Sequence, residues 1–115
     1  DEVSPIGTTV AAHLKPDGTV ETFEFAPEDL GLRRVDGAAI LAGETPAQNA
    51  HYLRAALAGD DEERMLALLP GAAMALWVAE RVDDPRDGVT VALHAIETGR
   101  ALQTLEEYLA FTQSV

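Results

Sequence analysis

DPRDGVTVALHAIETGRALQTLEEYLAFT, residues 84–112, reads as one long amphipathic helix. Val89, Ala92, Leu93, Ile96, Leu102 and Leu105 recur at three- and four-residue steps, with Gly99 and Leu109 on the same beat, so one apolar stripe runs its length. Asp84 is placed to cap it, Pro85 suits the first helical position, and Asp87 completes a box-like start. At about 1.5 Å per residue such a helix measures roughly 40 Å. A stripe that long needs a partner, and Leu68 to Val78 is the obvious one.

Working back from there, Asp60-Asp61-Glu62-Glu63 supply N-terminal acids that suit the dipole of a helix carrying Leu68, Leu69, Ala72, Ala73, Leu76 and Trp77. Pro70-Gly71 interrupts that pattern. Proline removes a backbone donor and crowds the preceding turn, at about 3 kcal/mol in a regular helix, so a kink or a break is expected there. Before it, Thr45-Pro46 opens another helix, with Ala50, Leu53, Ala56 and Leu57 on its buried face and Gly59 at its end.

The first part of the chain is different. Thr8 to Leu14 is β-prone, Pro16-Asp17-Gly18 is a tight-turn signal, and Thr19 to Phe25 alternates, with Glu21, Phe23 and Phe25 on one side. Together they predict a β-hairpin. An isolated hairpin is marginal in water, so it must lie on other elements. Ala26 to Leu32 reads as one helical turn closed by Gly31, and Ala38 to Leu41 as a further turn.

The bulk numbers bound the function. A chain of 115 residues suits one domain with one modest core. It is 47% hydrophobic but only 5% aromatic, and much of the apolar content is alanine, so the core should be thin and helix-rich. A formal net charge of -12 argues against nucleic acid or an anionic membrane as partner, because both call for clustered Lys and Arg. No apolar run approaches the roughly 20 residues of a membrane span. With no cysteine, disulfide and thiol chemistry are excluded, and a cytoplasmic home fits. The chain starts at Asp1 without a methionine and shows no signal peptide, which suggests a piece of a longer protein.

The sharpest chemical candidate is Asp1-Glu2. Adjacent carboxylates at the mouth of a loop can hold magnesium, which prefers oxygen ligands, keeps its waters and bridges to phosphate. Acidic pairs are also common on surfaces, so the residues alone leave both readings open. His13, His51 and His94 are well separated, with no metal-ligand spacing; the first falls on the hairpin and the others on helix surfaces. No Ser-His-Asp arrangement and no glycine-rich phosphate loop is visible. Trp77 and Met74 read as core, Tyr52 and Tyr108 as amphipathic edge residues.

The order of these parts resembles one family. Asp1-Glu2-Val3-Ser4, Thr8-Thr9-Val10-Ala11, Pro27-Glu28-Asp29-Leu30-Gly31-Leu32 and Gly43-Glu44-Thr45-Pro46-Ala47-Gln48-Asn49-Ala50 look like the later part of the anthranilate phosphoribosyltransferases. So do Leu53 to Gly59, Ala72 to Ala79, Asp87-Gly88-Val89 and Ala95 to Leu102. The similarity runs over essentially the whole chain. It implies an α/β fold of the nucleoside phosphorylase/phosphoribosyltransferase type, of which residues 1–115 would be a C-terminal α+β piece: a β-hairpin packed on about three helices.

The resemblance implies a step of tryptophan biosynthesis, in which a phosphoribosyl group passes from phosphoribosyl pyrophosphate to anthranilate. It also implies a homodimer paired through a small helical domain, and Mg2+ held by Asp1 and Glu2. The family's glycine-rich loop and anthranilate-contacting residues lie upstream, so this stretch alone is expected to be inactive. The resemblance further suggests that the hairpin and Ala72 to Val78 expose apolar surface for the rest of the domain to cover. Pro70-Gly71 departs from the family, which more often has leucine and asparagine there. Two other readings stand beside this one: a related phosphoribosyltransferase or nucleoside phosphorylase with another acceptor, and a non-catalytic binding module.

Overall fold

Pro16-Asp17-Gly18 turns the chain back as its residue types dictate. Lys15 N donates to the Thr19 carbonyl at 2.8 Å and Gly18 N to the Lys15 carbonyl at 2.9 Å. Asp17 Oδ1 accepts from both Thr19 N (2.9 Å) and Thr19 Oγ1 (2.7 Å), and Gly18 takes φ 84°, where a side chain would be strained. The strands so joined are β1 (Thr9–Leu14) and β2 (Val20–Phe25), antiparallel, with Thr9 opposite Phe25 and Leu14 opposite Val20. This is the expected hairpin, seen in a computed structural model that describes residues 2–115.

Two short 3-10 turns follow, Pro27–Leu30 and Gly37–Ile40; Gly31 closes the first at φ 78°. Four α-helices make up the remainder: α1 (Pro46–Ala58), α2 (Glu62–Val78), α3 (Pro85–Glu97) and α4 (Arg100–Gln113). The helix starts read at Thr45 and Asp84 carry side-chain caps, and the structure adds one at Asp61. Thr45 Oγ1 accepts from Gln48 N, Asp61 Oδ1 from Arg64 N and Asp84 Oδ1 from Arg86 N, and Gly59 ends α1 at φ 80°.

Three expectations are corrected. The single helix over 84–112 is two, because Gly99 sits at φ 76° and closes α3. Thr98 Oγ1 and Thr98 N both bond the His94 carbonyl there, and that side-chain bond competes with further helix. Among the described residues the helices thus number four, and the α+β piece of hairpin and helices stands as expected. Second, of the kink or break expected at Pro70, the break does not occur: α2 is continuous there, the proline denies a donor to the Leu66 carbonyl, and its ring and the adjacent Leu69 are among the most deeply buried side chains. Third, Ala50 and Leu53 do not face inward; both are exposed, and Ala56 is the one buried residue of α1.

The core centres on α2. Ala73 is fully buried, Leu69 is 1% exposed, and Ile96 of α3 and Ala56 of α1 close around them. The stripe read from residues 84–112 does face inward from both of its helices, and α3 lies on α2 as expected. The hairpin lays Phe25 and Phe23 towards α2, where Phe23 meets Trp77 edge to face at 6.2 Å.

The molecule is nevertheless open. Its radius of gyration is 15.3 Å, against about 13 Å for a compact domain of this length. It exposes 7684 Å², where a folded monomer of its mass exposes about 6,100 Å². No helix of the described residues is long and apolar enough to cross a membrane.

Candidate functional site

The loop that begins the chain is held by its own side chains. Ser4 N donates to Thr9 Oγ1 at 2.9 Å, and Gly7 N and Ile6 N donate to Ser4 Oγ at 3.0 and 3.3 Å. Val35 N then donates to the Pro5 carbonyl at 3.1 Å, tying the loop to the segment before the second 3-10 turn. Glu2 stands exposed at the head of this fixed loop. Asp1, the other half of the acidic pair, lies outside the described residues.

Glu2 borders two grooves. One, of about 600 Å³, runs beside β1 from Val3 and Ser4 to Met74 and Val78 of α2. The other, of about 260 Å³, lies between α1, α2 and the second 3-10 turn, and takes Tyr52 and Arg64 into its wall. The Arg64 guanidinium stacks on the Tyr52 ring at 3.8 Å and donates to Asp61 Oδ2 at 3.0 Å. The sequence reading of Tyr52 as an edge residue does not contain this pair. The signal was available: α1 and α2 form an antiparallel hairpin about Gly59, and positions 52 and 64 lie nearly symmetric about that turn.

Three acids at the α2 N-terminus, Asp61, Glu62 and Glu63, face arginines. The Arg64 backbone N–H and then its guanidinium hold the Asp61 carboxyl below its usual range. Arg33, joined by the Asp36 backbone N–H, does the same for Glu63. Arg33 also reaches Glu62, and Arg34 pairs with Glu28 at 2.8 Å.

The other candidates lie apart. His13 is on β1, its ring 4.6 Å from that of Trp77. His51 and His94 are exposed on α1 and α3, as expected. Trp77 and Met74 are half-buried and line an apolar pocket of about 310 Å³ with Phe23 and Phe25. The acids on that pocket's rim are already engaged: Glu21 by Lys15 (2.6 Å), Asp29 by Ala26 N (2.8 Å) and Asp84 by Arg86 N (2.8 Å).

Among the described residues no three of the His, Asp and Glu side chains gather to form a self-sufficient metal cage. Glu2 fits a different kind of site. An exposed carboxylate on an anchored loop, beside a groove, suits a cation such as Mg2+ that keeps most of its waters and takes only one or two protein carboxylates. It does not suit a cation that must be stripped and enclosed.

Residues 1–102 match the family described as "Glycosyl transferase family, a/b domain". In sequence, the anthranilate phosphoribosyltransferase of Myxococcus xanthus is 44% identical over 105 residues, covering 91% of this chain and 31% of that protein. That of Desulfotalea psychrophila is 39% identical over 111 residues, 96% of this chain and 32% of the other. In structure, the Saccharomyces cerevisiae anthranilate phosphoribosyltransferase in complex with PRPP and Mg is similar over 100% of this chain and 33% of its own, with TM-score 0.83 and 28% identity. The same enzyme in complex with 4-fluoroanthranilate gives TM-score 0.83. The chain thus spans about a third of the length of the relatives it matches.

Proposed function

The chain belongs to the glycosyl transferase family whose a/b domain its residues 1–102 match, and from that premise we propose that it is the C-terminal portion of the α/β domain of an anthranilate phosphoribosyltransferase. The enzyme moves a phosphoribosyl group from phosphoribosyl pyrophosphate to anthranilate. One observation carries the reading: a relative solved with PRPP and Mg aligns with this chain over its whole length, hairpin and helices alike. The whole enzyme would work in the cytoplasm as a homodimer, as the family resemblance implies.

In this reading Asp1 and Glu2 are the ligands of Mg2+. Held there, Mg2+ would supply positive charge to offset that of the pyrophosphate leaving group. The chain's own part is positional. Ser4 and Thr9 fix the loop, so the Glu2 carboxylate needs little ordering when its ligand arrives. Neither acid moves a proton: the attacking amine of anthranilate needs placement more than activation. The residues that would place it belong to the other two-thirds of the enzyme.

Anthranilate fluorescence tests the reading. With phosphoribosyl pyrophosphate and Mg2+, the 115-residue chain alone should leave the signal unchanged. Joined behind the first two-thirds of the Myxococcus xanthus enzyme, it should consume anthranilate. Turnover by the chain alone, or a folded but inactive chimaera, would refute the proposal.

A further inference from the structure

The proposed reaction makes no use of the apolar pocket between β2, α2 and the first turn of α3. Its walls are aromatic. The strand period brings Phe23 and Phe25 to one face of the sheet, and α2 carries Met74 and Trp77, one turn apart, on the side that meets that face. Phe23 stands edge-on to Trp77, at 90° and 6.2 Å, and lies 5.9 Å from Phe25 with the planes 32° apart. The three rings do not stack flat, and about 310 Å³ stays open among them. That is about twice the volume of an apolar cavity that admits benzene, and within the range of small-ligand pockets. We propose that this aromatic pocket binds a small quaternary ammonium cation of the choline class.

Charge selects that occupant. Glu21, Asp29 and Asp84 stand exposed at the rim, and among the described residues only Glu21 of these pairs with a cation, Lys15. Asp29 accepts from Ala26 N and Asp84 from Arg86 N, while the Arg86 guanidinium bonds the Asp29 carbonyl and neither carboxylate. Two carboxylates therefore border the mouth with their charge offset only by backbone dipoles. Phosphate or carboxylate ligands are repelled there, which sets this pocket apart from either substrate of the proposed reaction. A metal ion or a primary ammonium would lose its water to apolar walls and gain no ligand in return. A cation whose charge is spread beneath methyl groups sheds water readily, packs against the rings and is drawn by their negative faces.

Trp77 is the single tryptophan of the 115-residue chain, so its emission reports on the pocket. At constant ionic strength it should respond saturably to choline. The neutral isostere, with a tert-butyl group in place of the trimethylammonium, should bind about tenfold more weakly. Asp29→Asn with Asp84→Asn keeps both backbone bonds and removes the charges; it should weaken choline about threefold or more and leave the neutral isostere unchanged. Phe23→Leu keeps the apolar bulk without the ring and should likewise weaken choline alone. Should that variant unfold the hairpin, the paired asparagine variant decides. Calorimetry should find the same order of affinities in the chimaera described above. Equal affinity for choline and its isostere would overturn the proposal, as would a response that sodium chloride reproduces, or none. Binding by the chain that is absent from the chimaera would overturn it too, because the rest of the enzyme would then close the pocket.

Discussion

Gly88 of α3 rests directly on the backbone of Ala73 in α2: a Cβ at position 88 would fall 2.8 Å from the Ala73 carbonyl oxygen and 2.9 Å from its Cα. The two residues let the helices touch main chain to main chain, and both are buried. This close approach uses the chain's alanine- and glycine-rich composition, and it sets how α3 lies on the element at the centre of the core.

Gly88→Ala should therefore destabilise the chain. The added methyl meets backbone, which cannot rotate away, and overpacking of this kind costs about 1–3 kcal/mol, outweighing the better helix propensity of alanine. Gly71→Ala is the matched control. It lies mid-helix with nothing within 4 Å of its Cβ position, so it should stabilise by about 0.5–1 kcal/mol. Urea unfolding of the two variants should move the midpoint in opposite directions.

Gly99→Ala isolates backbone conformation from packing. A Cβ there meets open space, but φ 76° is the left-handed region, and holding alanine in it costs about 1–2 kcal/mol. Thermal unfolding should show the loss, with helix content by circular dichroism unchanged at low temperature. A gain in helix content instead would mean that α3 and α4 had fused.

Arg33 and the Asp36 N–H hold the Glu63 carboxyl below its ordinary value of 4.5, so the folded chain binds that proton less readily than the unfolded chain. The pair's contribution is complete above 4.5 and is lost as the pH falls through the lowered folded value. Wild type should exceed Glu63→Gln in stability at pH 7. The margin should narrow in acid and vanish once the carboxylate is protonated in both states. It should also shrink in high salt, because the pair is exposed.

Much of this was legible in local chemistry. The hairpin turn, the helix starts at Thr45 and Asp84, and the stops at Gly31 and Gly59 follow from residues that act within one turn of their own position. Gly99 escaped notice because it occupies a beat of the apolar stripe: the step from Ile96 to Leu102 passes through it without a break in period. Pro70 misled in the other direction, since its cost is local while its compensation is tertiary. Periodicity puts Ala50 and Leu53 inward, yet Ala50 is exposed and Leu53, 41% exposed, sits at the open groove beside the second 3-10 turn. The site was legible only in part. Glu2 was singled out from its type and neighbour, whereas the stacking of Arg64 on Tyr52 needs the α1–α2 hairpin to exist first.

If the opening acidic pair serves a metal in a larger catalyst, a magnesium titration of turnover in the chimaera reads it most directly. Asp1→Ala with Glu2→Ala should raise the Mg2+ concentration for half-maximal rate by about tenfold or more, with the melting temperature unchanged. Titration curves that superimpose on those of the unsubstituted chimaera would contradict it.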